Sequence, residues 1–145
     1  MIRPDWPTWA LGLAETAALR SEDPYVQVGA VALRYDWSVV GVGYNGLPAG
    51  VDVPADFWDD RDGRRPFMIH AEVNALRYAT ATDVARVVTT HIPCAACVSV
   101  LGSYHIGIVY WSHTLGDAHD MSLIERVAEM NGIRLIRIGV RNEGT

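Results

Sequence analysis

Val84-Ala85-Arg86-Val87-Val88-Thr89-Thr90-His91-Ile92-Pro93-Cys94-Ala95-Ala96-Cys97 is the stretch on which the fold turns. Residues 84–90 are rich in β-branched side chains and read as a strand. Pro93 suits the start of a helix, where its missing N–H removes no hydrogen bond, and the spacing predicts that helix over 94–104. A strand follows at 106–111, then a helix over 122–131 with Asp120 or Ser122 as its N-cap and Asn131-Gly132 at its end, then a last strand at 133–138. Strands joined through helices favour parallel pairing and a sheet covered on both faces.

Upstream, residues 70–81 hold strong helix formers without Gly or Pro and read as a helix. Residues 28–33 and 39–44 are almost continuously apolar and are joined by Arg34-Tyr35-Asp36-Trp37, which predicts a hairpin of two adjacent central strands. Trp6, Trp9, Ala10, Leu13 and Ala17 recur at helical spacing, so residues 5–20 read as an amphipathic helix ended by Pro24. The sum is an α/β fold of three layers, α/β/α, around a mixed central sheet of about five strands. With 145 residues, 50% of them hydrophobic, the chain is sized for one domain with a real core, residues 1–145.

A formal net charge of −5 argues against a general nucleic-acid-binding surface, which would carry a basic patch or stripe. No apolar run approaches a membrane span, and Asp5 and Glu15 fall where a secretory leader would be apolar. Both cysteines lie in one C-x-x-C, leaving none for a structural disulfide, so reduced thiols and a cytoplasmic location are expected.

His70-Ala71-Glu72 adds an imidazole and a carboxylate to that C-x-x-C. His70, Cys94 and Cys97 are ligand types that zinc takes, and three of them leave one position for a water that the metal acidifies to hydroxide near neutral pH. Glu72 then remains to move protons. Cys94 and Cys97, three apart, share a face at a helix start, which also favours the thiolates that zinc requires. His70 and Glu72, two apart, would diverge in the middle of a helix.

The H-x-E…P-C-x-x-C pattern resembles the signature of the zinc-dependent nucleobase deaminases. Three more stretches narrow the resemblance to the deoxycytidylate (dCMP) deaminases. They are Ser21-Glu22-Asp23-Pro24-Tyr25-Val26-Gln27-Val28-Gly29-Ala30, Gly43-Tyr44-Asn45-Gly46-Leu47-Pro48 and Phe67-Met68-Ile69-His70-Ala71-Glu72-Val73-Asn74-Ala75-Leu76. The resemblance implies a cytidine deaminase-like fold with one zinc per chain, lying off the N-terminal end of the His70 helix so that His70 and Glu72 converge. It implies that zinc-bound hydroxide attacks C4 of the base while Glu72 shuttles the proton, turning a deoxycytidine nucleotide, dCMP, into dUMP and ammonia. It implies substrate contacts from Asn45, Ala71, Thr90 and His91, with Asn45 hydrogen-bonding the sugar or base. A homo-oligomer acting on a small pyrimidine nucleotide follows from it as well, with no membrane and no nucleic-acid polymer as partner.

On the residues alone, several roles stay open. Asn45-Gly46 is also a frequent turn pair. His91 either completes a closed zinc site, lines the pocket, or is a hydrogen-bonded core or surface residue. Residues 47–69 are too long for an ordinary connection and read as a lid or as a solvated loop. Within them Arg61, Arg64 and Arg65 are candidates for a substrate phosphate, because Arg forks match its geometry, or else they balance the five aspartates of the same loop. Tyr110 and Trp111 either stack on a base or pack the core. His105, His113 and His119 have no ligand spacing and are assigned no role.

The 47–69 stretch contains neither Cys nor His, and Ala49-Gly50-Val51-Asp52-Val53-Pro54 lacks the paired acids common in regulated members of the family it resembles, so a second Cys/His zinc site and control by triphosphates are not expected there. A thioredoxin-like oxidoreductase would explain the C-x-x-C but not His70-Ala71-Glu72. A structural zinc module would need a fourth protein ligand such as His91. A tRNA adenosine deaminase would want a basic face, and a free cytidine deaminase fits the long loop after Gly43-Tyr44-Asn45-Gly46 less well than the nucleotide-acting branch does.

Overall fold

A computed structural model describes residues 2–116 and 120–139. Helix α1 (Trp6–Ala18) begins at Asp5, whose carboxylate accepts the Thr8 backbone N–H at 2.9 Å. Its buried stripe is Ala10, Leu11, Ala14, Ala17 and Ala18, a face rotated from the one that the tryptophans suggested. Trp6 stays half exposed, edge-on to Trp9 and stacked on Trp37. The alanines explain the rotation. They let the helix backbone approach Gly29 so closely that a Cβ there would lie 1.8 Å from the Ala14 carbonyl oxygen. The helix ends at Ala18, short of Pro24.

Strands β1 (Gly29–Leu33) and β2 (Val39–Tyr44) form the expected antiparallel hairpin, but only β1 is central. With β3 (Arg86–His91), β4 (Ile108–His113) and β5 (Arg134–Arg137), the sheet order is β2-β1-β3-β4-β5. β3 runs antiparallel to β1, and β3, β4 and β5 run parallel, so the sheet is five-stranded and mixed. β1 is buried throughout, whereas β2 is an edge strand with Val42 half exposed. An apolar run fits a one-sided edge strand covered by a helix as well as it fits a central one, so the run alone misplaced β2. Its cover is close. A Cβ at Gly41 or Gly43 would lie 2.2 or 2.4 Å from a carbonyl oxygen of helix α2 (Ala71–Ala75).

Helix α1 covers Val31, Leu33 and Val88 on one face of the sheet. On the other face α2, α3 (Ala95–Ser103) and α4 (Met121–Met130) pack over Ala30, Ala32, Val87 and Val109, which completes three layers, α/β/α. Tyr110 and Trp111 pack into the first and second of these cores respectively. The helix read over 70–81 is five residues long. A helix this short depends on tertiary packing, and beyond Leu76 Tyr78 is 88% exposed and offers nothing to pack. Asp120, one of the two expected caps, starts α4 by accepting the Leu123 N–H at 3.2 Å. Gly132 follows its end with φ 68°, a left-handed conformation that glycine adopts without steric cost.

The 47–69 segment is ordered by two 3₁₀ turns, Ala55–Asp59 and Arg65–Phe67. Its two ends are clipped together by paired backbone hydrogen bonds between Gly46 and Ile69, at 3.1 and 2.8 Å. Among the described residues no helix is long and apolar enough to cross a membrane.

Candidate active site

The starts of α2 and α3 meet at the ends of β1 and β3. His70 and Cys94 each stand immediately before a helix in an extended conformation, with φ/ψ of −73°/154° and −69°/164°. This extended step resolves the His-x-Glu spacing. His70 lies outside the helix and Glu72 in its first turn, so two side chains that would diverge within a helix line the same cleft. Cys97 lies in the first turn of α3, and its backbone N–H points at the Cys94 sulfur, 3.5 Å away.

Nδ1 of His70 is 3.0 Å from Sγ of Cys97 and 3.5 Å from Sγ of Cys94, and the three ligand atoms all lie within 4.8 Å of one another. A tetrahedral zinc, with sulfur at about 2.3 Å and nitrogen at about 2.0–2.1 Å, sets its N and S ligands about 3.6 Å apart. One imidazole and two thiols at this spacing fit that ion. His91 is outside the ligand group, so the closed four-ligand site considered for it is not formed.

The ionisable groups of the cluster act strongly on one another. A hydrogen bond from Cys97 and the neighbouring His70 pull the Cys94 thiol down to about 3. The resulting thiolate and burial together push the Cys97 thiol upward, and the Cys94 hydrogen bond raises His70. Glu72 is 3% exposed, and burial is the largest influence raising its carboxyl above the ordinary range. The Thr89 hydroxyl lies 3.2 Å from Glu72 Oε1 and 2.9 Å from the His91 carbonyl oxygen. Thr89 was not singled out from the sequence. Strand alternation was the available signal, because it turns Thr89 and His91 to the ligand face and Thr90 to the opposite one.

A cleft of about 310 Å³ joins these groups to solvent and is lined by His70, Ala71, Glu72, Asn45 and His91 together with all three arginines, Arg61, Arg64 and Arg65. Thr90 does not line it. Its hydroxyl accepts the Gly29 N–H at 3.1 Å and lies 2.8 Å from Nδ1 of His91, so it braces β1 and the imidazole where a substrate contact was expected. The Asn45 side chain is built into the wall. Its oxygen accepts the Val28 N–H at 2.8 Å and its amide donates to the Val26 carbonyl at 3.0 Å. The His113 ring packs 5.4 Å from that of His91, His105 takes a left-handed turn after α3 with φ 58°, and His119 is outside the described residues.

The arginines differ. Arg64 is buried and gives Nε and a terminal nitrogen to Oδ2 of Asp23, at 3.0 and 2.9 Å, so its partner lies outside the loop whose aspartates it was expected to balance. Its other terminal nitrogen donates to the Arg61 carbonyl, and its guanidinium lies 4.5 Å from the Tyr25 ring centre. Arg61 lies 5.3 Å from the same ring. Arg65 does pair within the loop, with Asp62 at 3.5 Å in full view of solvent.

Residues 4–113 match the family described as the cytidine and deoxycytidylate deaminase zinc-binding region. The chain is 37% identical over 117 residues to the deoxycytidylate deaminase of Mycobacterium phage D29, covering 71% of this chain and 91% of the phage protein. It is also 37% identical over 106 residues to a probable deoxycytidylate deaminase of Caenorhabditis elegans, covering 70% of this chain but only 54% of that protein, so it spans about half that relative's length. A crystal structure of the dCMP deaminase from cyanophage S-TIM5, in complex with dCMP and dUMP, has the same fold, with a TM-score of 0.75 over 95% of this chain and 100% of that one at 22% identity. The chain belongs to the cytidine and deoxycytidylate deaminase family, within its deoxycytidylate deaminase branch, a family of zinc-dependent hydrolases. His70, Cys94 and Cys97 fall within the matched zinc-binding region and form a group that could hold the zinc ion.

Proposed function

We propose that the chain is a single catalytic domain that hydrolyses the 4-amino group of a deoxycytidine nucleotide, dCMP, giving dUMP and ammonia. The observation that carries this reading is a buried carboxyl, Glu72, beside three zinc ligands in a cleft whose solvent side holds Arg61 and Arg65. Zinc, when bound there, supplies a Lewis acid with one place for solvent and acidifies that water toward neutral pH. Glu72 takes the proton that the attacking water gives up and hands it to N3 of the ring, then carries a second to the leaving nitrogen. The C4–O bond forms, the C4–N bond breaks and ammonia departs. Burial, which raises the proton affinity of Glu72, suits a group that must both accept and return protons.

Ala71 and His91 contribute to the walls around the base, and Asn45 shapes the pocket through the backbone that it fastens. With Arg64 paired to Asp23, Arg61 and Arg65 are the cations nearest to hand for a phosphate. We place the enzyme in the cytoplasm, where a zinc site with two thiolates is kept reduced. Assembly into a homo-oligomer is carried over from the family, and exposed Val39 and Val42 on edge strand β2 offer a face for it.

Ultraviolet absorbance over cytidine, deoxycytidine, dCMP, dCTP and 5-methyl-dCMP, with adenosine and guanine as controls, tests the reading. Turnover of dCMP above deoxycytidine is expected. Failure to turn over any cytosine substrate overturns the reading.

A further inference from the structure

The 47–69 segment is packed upon itself and tied to the rest of the chain at few points. Phe57 stands edge-on to Phe67 with ring centres 5.5 Å apart, which joins its two 3₁₀ turns to each other. Beyond the Gly46–Ile69 clip, its polar ties lead to one place. Glu22 accepts the Leu47 N–H at 3.1 Å, the Tyr25 hydroxyl donates to the Trp58 carbonyl in the first turn, and Asp23 holds Arg64 at the start of the second. Asp23 is fixed in its own right, because its Oδ1 accepts the backbone N–H groups of Tyr25 and Val26 at 2.8 and 3.3 Å.

We propose that the turn Asp23-Pro24-Tyr25 is a latch that holds the 47–69 segment against the metal cleft and places Arg61 and Arg65 for the phosphate of a nucleotide, with Arg64 and Tyr25 as positioning residues that select nucleotide over nucleoside. The inference rests on the reading of the site as one for a small anionic pyrimidine nucleotide. Arg64 cannot itself be the main phosphate ligand, since its Nε and both terminal nitrogens are engaged by Asp23 and the Arg61 carbonyl. It does two other things. It cancels the Asp23 carboxylate, which also lines the cleft and would repel a phosphate, and it grips the backbone of Arg61. Both Asp23 and Arg64 are nearly inaccessible, with side chains 2% and 5% exposed, so water does not compete for the pair. The Tyr25 ring gives Arg61 and Arg64 a common platform, and its hydroxyl pins the other turn.

Calorimetric binding of dUMP and deoxyuridine to the zinc-loaded protein measures the selection without turnover, and hydrogen exchange of the 47–69 amides measures the latch. Arg64→Lys keeps the charge but cannot form the fork. It is expected to weaken dUMP binding about tenfold or more, the loss of charged hydrogen bonds, while leaving deoxyuridine binding unchanged. Exchange should quicken across 47–69 while α2 and α3 keep their protection and the zinc stays bound. Tyr25→Phe should shift both readouts the same way by less. Arg34→Lys, at a two-point pair outside the cleft, should move neither. An unchanged dUMP-to-deoxyuridine ratio in both latch variants overturns the proposal, and so does faster exchange that spreads evenly into α2 and α3. If dUMP binds selectively through the latch but no cytosine substrate is turned over, the deaminase reading fails and the latch stands.

Discussion

The inner and outer sides of the cleft are built by opposite means. On the inner side, His70, Glu72, Cys94 and Cys97 sit at two helix starts, each placed by a local rule: one extended residue, then one helical turn. On the outer side, the 47–69 segment is placed by partners far away in the chain. Arg64 pairs with Asp23, 41 residues earlier, and Trp58 with Tyr25, 33 residues earlier. The inner groups are thus held by short-range geometry on a covered sheet, and the outer wall by long-range ties that substitutions can loosen separately.

The largest expected effect comes from the inner side. Dialysis against a chelator should remove one zinc per chain with all deaminase activity, and returning zinc alone should restore both. Activity that survives in metal-free protein breaks the inner half of the comparison. Glu72→Ala should come next, keeping the zinc but losing at least about a hundredfold in kcat, the low end for general acid–base catalysis. Metal analysis alongside steady-state kinetics checks it. Normal turnover with full zinc removes Glu72 from the reaction.

The same division explains what could be read from the chain. The zinc ligands, the hairpin, the parallel strands after Thr90 and the Asp120 cap follow from motifs and periodicities a few residues long, and those are the features that a sequence displays. The edge position of β2 was not legible, because Val39, Val40 and Val42 look alike whether a second strand or only a helix lies alongside; Gly41 and Gly43, which admit α2 against the strand backbone, were the overlooked signal. Neither the rotated face of α1 nor the early end of α2 follows from apolar content, since both depend on which neighbour comes close. Arg64 looked like its neighbours Arg61 and Arg65 in a run of charge. Only the buried Asp23 distinguishes it, and no local pattern connects residues 23 and 64.

Two aspartate–arginine pairs then sharpen the comparison through stability. Asp23→Ala strands the Arg64 guanidinium in the interior and frees two backbone N–H groups, so urea unfolding should show a loss of about 3–5 kcal/mol, the cost of breaking one side of a buried pair.

Arg34 forks onto both oxygens of Asp83, at 2.9 and 3.2 Å, where Arg64 gives two nitrogens to one oxygen of Asp23, and the Arg34 and Asp83 side chains are 43% and 35% exposed. Solvent screens this pair and both side chains lose entropy in forming it, so Arg34→Ala should cost only about 0.2–1 kcal/mol, a difference that added salt diminishes further. The gap between the two losses then combines burial of the charge with the two backbone N–H groups that Asp23 holds. Equal losses would mean that the outer wall is held by its surface packing, and Asp23 would then be one contact among many and not the post to which the segment is fastened.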